Sequence, residues 1–157
     1  MRYWLMKTDP EVFSWEDLKK MPRQTDHWEG VRNYQARNYM KDEMKKGDMV
    51  LFYHSNCEEP GVFGVAEITK EAYPDFFSWD RRSGYFDPLS TPEHPRWYMV
   101  DITLKRAFRR KVTLSELRAD PKLRDMKLLQ KGQRLSVLPV TRSEFERVCA
   151  MGMREEN

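Results

Sequence analysis

Five stretches of the chain carry the hydrophobic patterning of strands. Arg2 to Thr8 sets Tyr3, Leu5 and Lys7 on one face and Trp4 and Met6 on the other. Met49 to Tyr53 is an apolar run that follows the turn pair Gly47-Asp48 and ends in polar His54, Ser55 and Asn56. Val62 to Lys70 is anchored by Phe63, Val65 and Ile68. Trp97 to Lys105 alternates through Tyr98, Val100, Ile102 and Leu104, and Gln133 to Val140 reads as a last strand. Helical spacing fills other segments. Ser14, with Asp17 three residues on, caps a short helix through Lys20 that Pro22 ends. Ala36, Met40 and Met44 recur at i, i+4 and predict a helix from about Arg32 to Lys45, whose opening turn carries Arg32 and Asn33. One or two short helices are expected over Leu117–Leu129, broken near Asp120-Pro121. Thr141 and Glu144 form a capping box for a last helix through Ala150.

Gln24 to Glu29 reads as a loop. The stretch from Tyr73 to Arg96 follows neither period, and holds four prolines beside Phe76, Phe77, Trp79, Tyr85 and Phe86. A loop this long inside a compact domain is functional or specially packed. Helices cluster between the first two strands and after the fourth, so strand and helix do not alternate. That excludes a doubly wound parallel sheet and points to an α+β fold, a small mixed or closed sheet of five or six strands flanked by helices.

Length adds that residues 1–157 make one domain, long enough to bury a core without disulfides. Cys57 and Cys149 lie far apart without metal-ligand spacing, so two free thiols in a reducing, intracellular setting are expected, with no metal and no cofactor. Met1 leads straight into a strand rather than a signal peptide, and no run reaches membrane-spanning length. A cytoplasmic monomer is expected, or a nuclear one in a eukaryote. The formal charge of +3 is too small for a polyanion-binding protein of global charge, so a nucleic-acid partner needs a local basic face. Arg106, Arg109, Arg110 and Lys111 follow a strand and are candidates for phosphate contact, with Lys7, Arg37, Lys131 and Arg134 on the same rim.

The chemistry concentrates in two segments, read here as two walls of one pocket. The first runs Trp28-Glu29-Gly30-Val31-Arg32-Asn33, a glycine turn into a helix start; the second is Tyr53-His54-Ser55-Asn56. Base recognition needs a π-face for stacking and a few hydrogen-bonding groups for the base edge. Trp28 and Tyr53 offer faces; Asn33, Ser55 and Asn56 offer edges. A bland reading makes Trp28 and Tyr53 core aromatics and Asn33 a helix cap. His54-Ser55 also admits a hydrolytic reading, but no nucleophile elbow, phosphate loop or dinucleotide fingerprint accompanies it.

These segments, in order from Tyr3-Trp4-Leu5-Met6-Lys7, through Trp28 to Asn38, Phe52 to Cys57 and Lys70 to Asp75, to Gln133-Arg134-Leu135-Ser136-Val137, resemble the EVE domain. The opening motif departs at Thr8-Asp9, where the family usually has Ser-Glu; a hydroxyl and a carboxylate are kept. The resemblance implies a PUA-like mixed pseudo-barrel, related to PUA, ASCH and YTH domains. It implies a non-enzymatic reader of modified bases in DNA or RNA, with modified cytosine as one such base. It places a base pocket at Trp28, Gly30, Val31, Arg32, Asn33, Tyr53, His54 and Ser55, with Arg134 nearby. A cavity of that kind would also take a stray buffer molecule or anion. The rival readings are an ASCH-like nuclease, with His54 as general base and Lys7 or Arg32 on the phosphate, and a sensor of free nucleosides.

Overall fold

The computed structural model describes residues 1–155. Strands β1 (Tyr3–Thr8), β2 (Thr25–His27), β3 (Met49–His54), β4 (Gly61–Pro74), β5 (Tyr98–Thr113) and β6 (Val137–Val140) form one sheet in the order β2-β5-β4-β3-β1-β6. Only β1 and β3 run parallel, so the sheet is mixed. Helices α1 (Trp15–Lys20), α2 (Tyr34–Asn38), α3 (Leu114–Ala119) and α4 (Arg142–Gly152) flank it, giving the α+β class. No helix among the described residues is long and apolar enough to cross a membrane.

The sheet curls. Trp28, just after β2, packs its ring edge-on against Phe52 of β3 at 5.6 Å between centroids. Three strand spacings separate β2 from β3, about 14 Å in a flat sheet. The two rings meet only because the sheet bends around them, the geometry of a pseudo-barrel. Four register shifts between β4 and β5 supply the bending. Period-two alternation then sorts side chains into two cores. Trp4, Met6, Val50, Phe52, Ile68 and Ile102 join α1 and α2 on the inner side. Leu5, Leu51, Tyr53, Val62, Val112 and Leu138 join α3 and α4 on the outer side.

The capping boxes at Ser14 and Thr141 form as the sequence indicates, and Thr113 with Glu116 makes a third at α3. Other boundaries differ for physical reasons. Thr25–His27, expected as a loop, pairs with Asp101–Thr103 of β5, and this polar triplet has no apolar alternation to betray it. The strand expected to stop at Lys105 continues to Thr113, because the charged run from Lys105 to Lys111 stays paired with the first residues of β4. The helix expected from Arg32 begins at Tyr34, since Asn33 is its N-cap and accepts the Ala36 N–H; it then widens into a π-helical turn, Tyr39–Glu43. The last strand starts at Val137, four residues later than expected, after a turn at Gly132 with φ +78°.

A buried carboxylate locks the entry to β3. Asp48 accepts hydrogen bonds from the backbone N–H groups of Arg2 and Lys45 and from Trp4 Nε1, each at 3.0 Å. Asp48→Ala leaves three donors without acceptors, one of them the indole of a core tryptophan. The expected cost is about 3 kcal/mol, a fall in Tm of roughly 6–12 °C. Asp48→Asn, which keeps one carbonyl oxygen, should lose about half as much; thermal unfolding that leaves the alanine variant at the wild-type Tm would contradict the role.

Candidate base-binding cavity

A cavity of about 200 Å³ opens where the ends of β1 and β2 meet across the curled sheet. β1 delivers Lys7 and Thr8 to it and runs into a tight turn. In that turn the Asp9 carbonyl accepts the N–H groups of Val12 and Phe13, while Thr8 Oγ1 donates to the Phe13 carbonyl. The turn thereby sets Asp9, Val12 and Phe13 along one side of the opening. From the other side, Trp28 leaves β2 with its N–H donating to the Val100 carbonyl. Its ring stands edge-on to Phe13 as well as Phe52, so it is core and cavity wall at once.

The chain then turns at Gly30, with φ +86°. A Cβ there would lie 2.5 Å from the ring of Tyr85, so this position needs glycine for space as well as for conformation. The Gly30 N–H donates to Asp75 Oδ2 at 3.0 Å, and Arg32 donates from Nη1 to the same oxygen at 3.0 Å. Arg32 also donates from Nε and Nη2 to the Tyr85 carbonyl, at 3.2 and 2.7 Å. Asp75 is fully buried and its other oxygen accepts the Phe77 N–H. This ion pair brings Tyr85, from the long irregular loop, into the cavity wall.

The polar groups of the cavity are of both signs. Burial pulls the Lys7 ammonium below the usual lysine range. Among the described residues no hydrogen bond or ion pair reaches it. His27 Nδ1 lies 2.5 Å from Glu29 Oε2, with Asp26 at 3.6 Å from Nε2. Burial opposes its charge, but the bond and charge of Glu29, with Asp26 and Asp101, win and raise its pKa. An apolar wall of Trp28, Phe13 and Val31 thus meets a cation without a partner and the carboxylates of Asp9 and Glu29. Such a site suits a flat heterocycle with donors and acceptors on its edge.

The structure brings Trp28, Gly30, Val31 and Arg32 together with Lys7 around this cavity, and does not bring the second expected wall to it. Tyr53 points into the outer core, where burial pushes its hydroxyl up to about 12. His54 is buried, stacks on Phe63 at 3.9 Å, and accepts the Trp15 N–H on Nε2 at 3.0 Å. Its accepting lone pair is therefore in use, and a general base needs a free one facing substrate. Burial first, then Lys111, lowers its pKa. Ser55 bonds back to Thr8, and exposed Asn56 makes a left-handed turn at φ +53°. Asn33 caps α2 and is exposed. Arg134 is exposed, two residues before Ser136, which does line the cavity.

The basic run lies elsewhere too. Arg109 pairs with Glu155 at 3.3 Å, Arg110 with Glu116 at 2.5 Å and Lys111 with Glu59 at 2.8 Å, while Arg106 is exposed. Lys111 lines a separate shallow hollow with His54 and Pro10. Arg37 lies against Tyr34 and Trp97. Sequence reasoning missed Asp9, Val12, Phe13, His27, Glu29 and Tyr85. Glu29 sits inside the quoted motif and His27 adjoins it, so proximity was a usable signal for those two; Tyr85 reaches the site only through the tertiary bond to Arg32. Cys57 and Cys149 are free, and burial pushes the Cys149 thiol up to about 11.

Two outcomes are expected. Asp75→Ala or Arg32→Ala alone breaks a buried pair and should cost about 3 kcal/mol. The double variant should cost clearly less than the sum, and strict additivity in thermal unfolding would refute the coupling. In an NMR pH titration, His27 should titrate above 6.5 and His54 below it. The signs oppose: the His27 contribution to stability is complete below pH 6.5 and is lost as pH rises through its raised folded pKa. Folding favours neutral His54, so its contribution is complete above pH 6.5 and is lost as pH falls from there through its lowered folded pKa. His27→Gln should remove the first slope and His54→Gln the second.

Comparison with known proteins places this geometry in a family. Residues 2–151 match the EVE domain. Thymocyte nuclear protein 1 of zebrafish (Danio rerio) is 44% identical, over 94% of this chain and 71% of its own. The human protein of that name is 42% identical over 98% and 75%. A crystal structure of human THYN1 protein in complex with 5-methylcytosine-containing DNA superposes with a TM-score of 0.92 at 42% identity, covering 99% of this chain and all of that one. A YTH domain of Zygosaccharomyces rouxii, solved with N6-methyladenosine RNA, shares only the fold, at 12% identity and TM-score 0.55. The chain belongs to the EVE domain family.

Proposed function

We propose that this protein is a single-domain reader of modified bases, which binds a methylated cytosine of DNA after it leaves the base stack and performs no chemistry on it. The observation that carries the reading is Lys7, a half-buried ammonium held without a partner in the same cavity as Trp28. Folding strips part of the water from that charge and gives no protein bond in return, and an acceptor atom on a ligand would supply one. Cytosine carries acceptors at O2 and N3 for Lys7 and an amino donor at N4 for Asp9 or Glu29. Thymine has an oxygen where cytosine has the amino group, and would face those carboxylates. A 5-methyl group adds apolar surface for Val12, Phe13 and Val31. The likeness to human THYN1 protein, crystallised with 5-methylcytosine-containing DNA, supports the same ligand class. Extruding a base costs a few kcal/mol, least where it is unpaired, which favours single-stranded or distorted sites.

The test is fluorescence anisotropy with short oligonucleotides that differ at one position. One buried methyl is worth about 0.8 kcal/mol, so 5-methylcytosine should bind about fourfold tighter than cytosine. Thymine at that position should bind about tenfold more weakly than cytosine. An abasic position that binds as well as 5-methylcytosine overturns the reading. Lys7→Met should weaken binding of the methylated strand about tenfold and leave Tm unchanged or raised, since it removes a desolvated charge.

A further inference from the structure

Beyond the cavity wall the chain builds a second aromatic surface. Asn33 is extended, so Tyr34 lies within about 7 Å along the backbone of Arg32. The Tyr34 ring stacks on buried Trp97, 5.0 Å between centroids at 21°, and is itself 47% exposed. Two guanidinium groups flank this pair. The central carbon of Arg37 is 4.7 Å from the Tyr34 centroid and 5.8 Å from that of Trp97. For Arg96 the distances are 5.6 and 5.9 Å. A guanidinium capping the outer face of Tyr34 would lie farther from Trp97 than from Tyr34 by most of the 5.0 Å between the two centroids; neither does, so both flank the stack and the exposed face of Tyr34 stays accessible. Arg96 also donates to the Tyr34 hydroxyl, which fixes the ring, and is itself held by Asp87 at 3.4 Å. Among the described residues the Arg37 side chain bonds only to the Arg96 carbonyl and to Asn38, and no carboxylate there pairs with its charge. The Arg32 guanidinium that lines the cavity also lies over the Trp97 ring, 5.4 Å from its centroid.

We infer that Tyr34 is a stacking platform for the nucleotide next to the captured base, with Arg37 as its phosphate contact. An open, rigid aromatic face edged by cations is the arrangement that single strands use for stacking and backbone contact together. Its position one short step from the cavity suits an adjoining nucleotide of the same strand. The inference rests on the reading of the cavity as a base site, and it adds a partner surface that the cavity itself does not contain.

The experiment compares 5-methyldeoxycytidine, followed by NMR shift perturbation, with a trinucleotide carrying 5-methyldeoxycytidine at its centre and the same trinucleotide with abasic neighbours. Tyr34→Ala should bind the nucleoside as wild type does and the intact trinucleotide about tenfold more weakly. Tyr34→Phe, which keeps the ring, should recover most of that loss, and its Tm serves as the folding control. With abasic neighbours, wild type and Tyr34→Ala should bind alike. Arg37→Gln should lower the salt slope of trinucleotide binding by about one. If Tyr34→Ala binds the intact trinucleotide as tightly as wild type while the nucleoside still binds, the platform is wrong and the cavity stands. If wild type binds neither ligand, both fall.

Discussion

A fully buried carboxylate, Asp75, is the constraint from which the site follows. Its two oxygens take the Gly30 N–H, the Arg32 guanidinium and the Phe77 N–H, and its own N–H donates to the Trp97 carbonyl. A charge in that position is tolerable only because every bond is made. Together the four bonds fix three segments: the glycine turn after β2, the short 3₁₀ turn Phe76–Trp79, and the entry to β5. The long loop between β4 and β5 is therefore a packed layer. Ser78 and Ser90, both buried, bond to each other within it, and Asp87 receives Trp97 Nε1. The cavity inherits its shape from this arrangement, because Tyr85 is held over Gly30 by Arg32 and Gly30 is small enough to allow it.

Stability and recognition share residues here. Trp28 belongs to the inner core through Phe13 and Phe52 and still presents surface to the cavity. A tryptophan held by two perpendicular aromatic contacts loses little conformational entropy when a ligand meets it. Lys7 shows the opposite sign. It sits on the same strand as core residues Leu5 and Met6, and its ammonium is partly desolvated with no bond from the described residues in return. A fold selected for stability alone has no use for that placement; one selected to receive an acceptor does.

Much of the framework is legible in sequence because it is local. Alternation gives β1, β3 and the core of β5, and Ser14–Asp17 and Thr141–Glu144 announce their helices at fixed spacing. The Trp28–Arg32 wall is legible as a run of unusual composition. The second expected wall was misplaced for a reason that strand parity contains. Val50 and Phe52 face the inner core, so Leu51 and Tyr53 must face the outer one. Tyr53 therefore could not join Trp28, however close the two motifs look along the chain. His54 keeps the inner parity but is taken up by the Trp15 N–H. β2 was hidden because its three polar residues carry no apolar alternation, and Tyr85 because its contact with Arg32 spans 53 residues. Neither leaves a local trace.

The charge distribution completes the physical picture. Composition suggested that the Arg106–Lys111 run would supply the basic face, yet Arg109, Arg110 and Lys111 each have a glutamate within ion-pair distance. Arg32, Arg37 and Arg96 instead gather around Trp97, against the carboxylates Asp75 and Asp87. That leaves a local excess beside the cavity although the chain as a whole carries only +3. Such a field acts over about one Debye length, roughly 8–10 Å at ordinary salt, which covers a nucleotide or two and not a long duplex tract. Long-range steering is weak for such a chain, so discrimination must come from the cavity's own donors and acceptors. A protein that surveys nucleic acid for one altered base gains from that balance, since non-specific affinity grows with each neutralised phosphate while the contacts that tell bases apart do not.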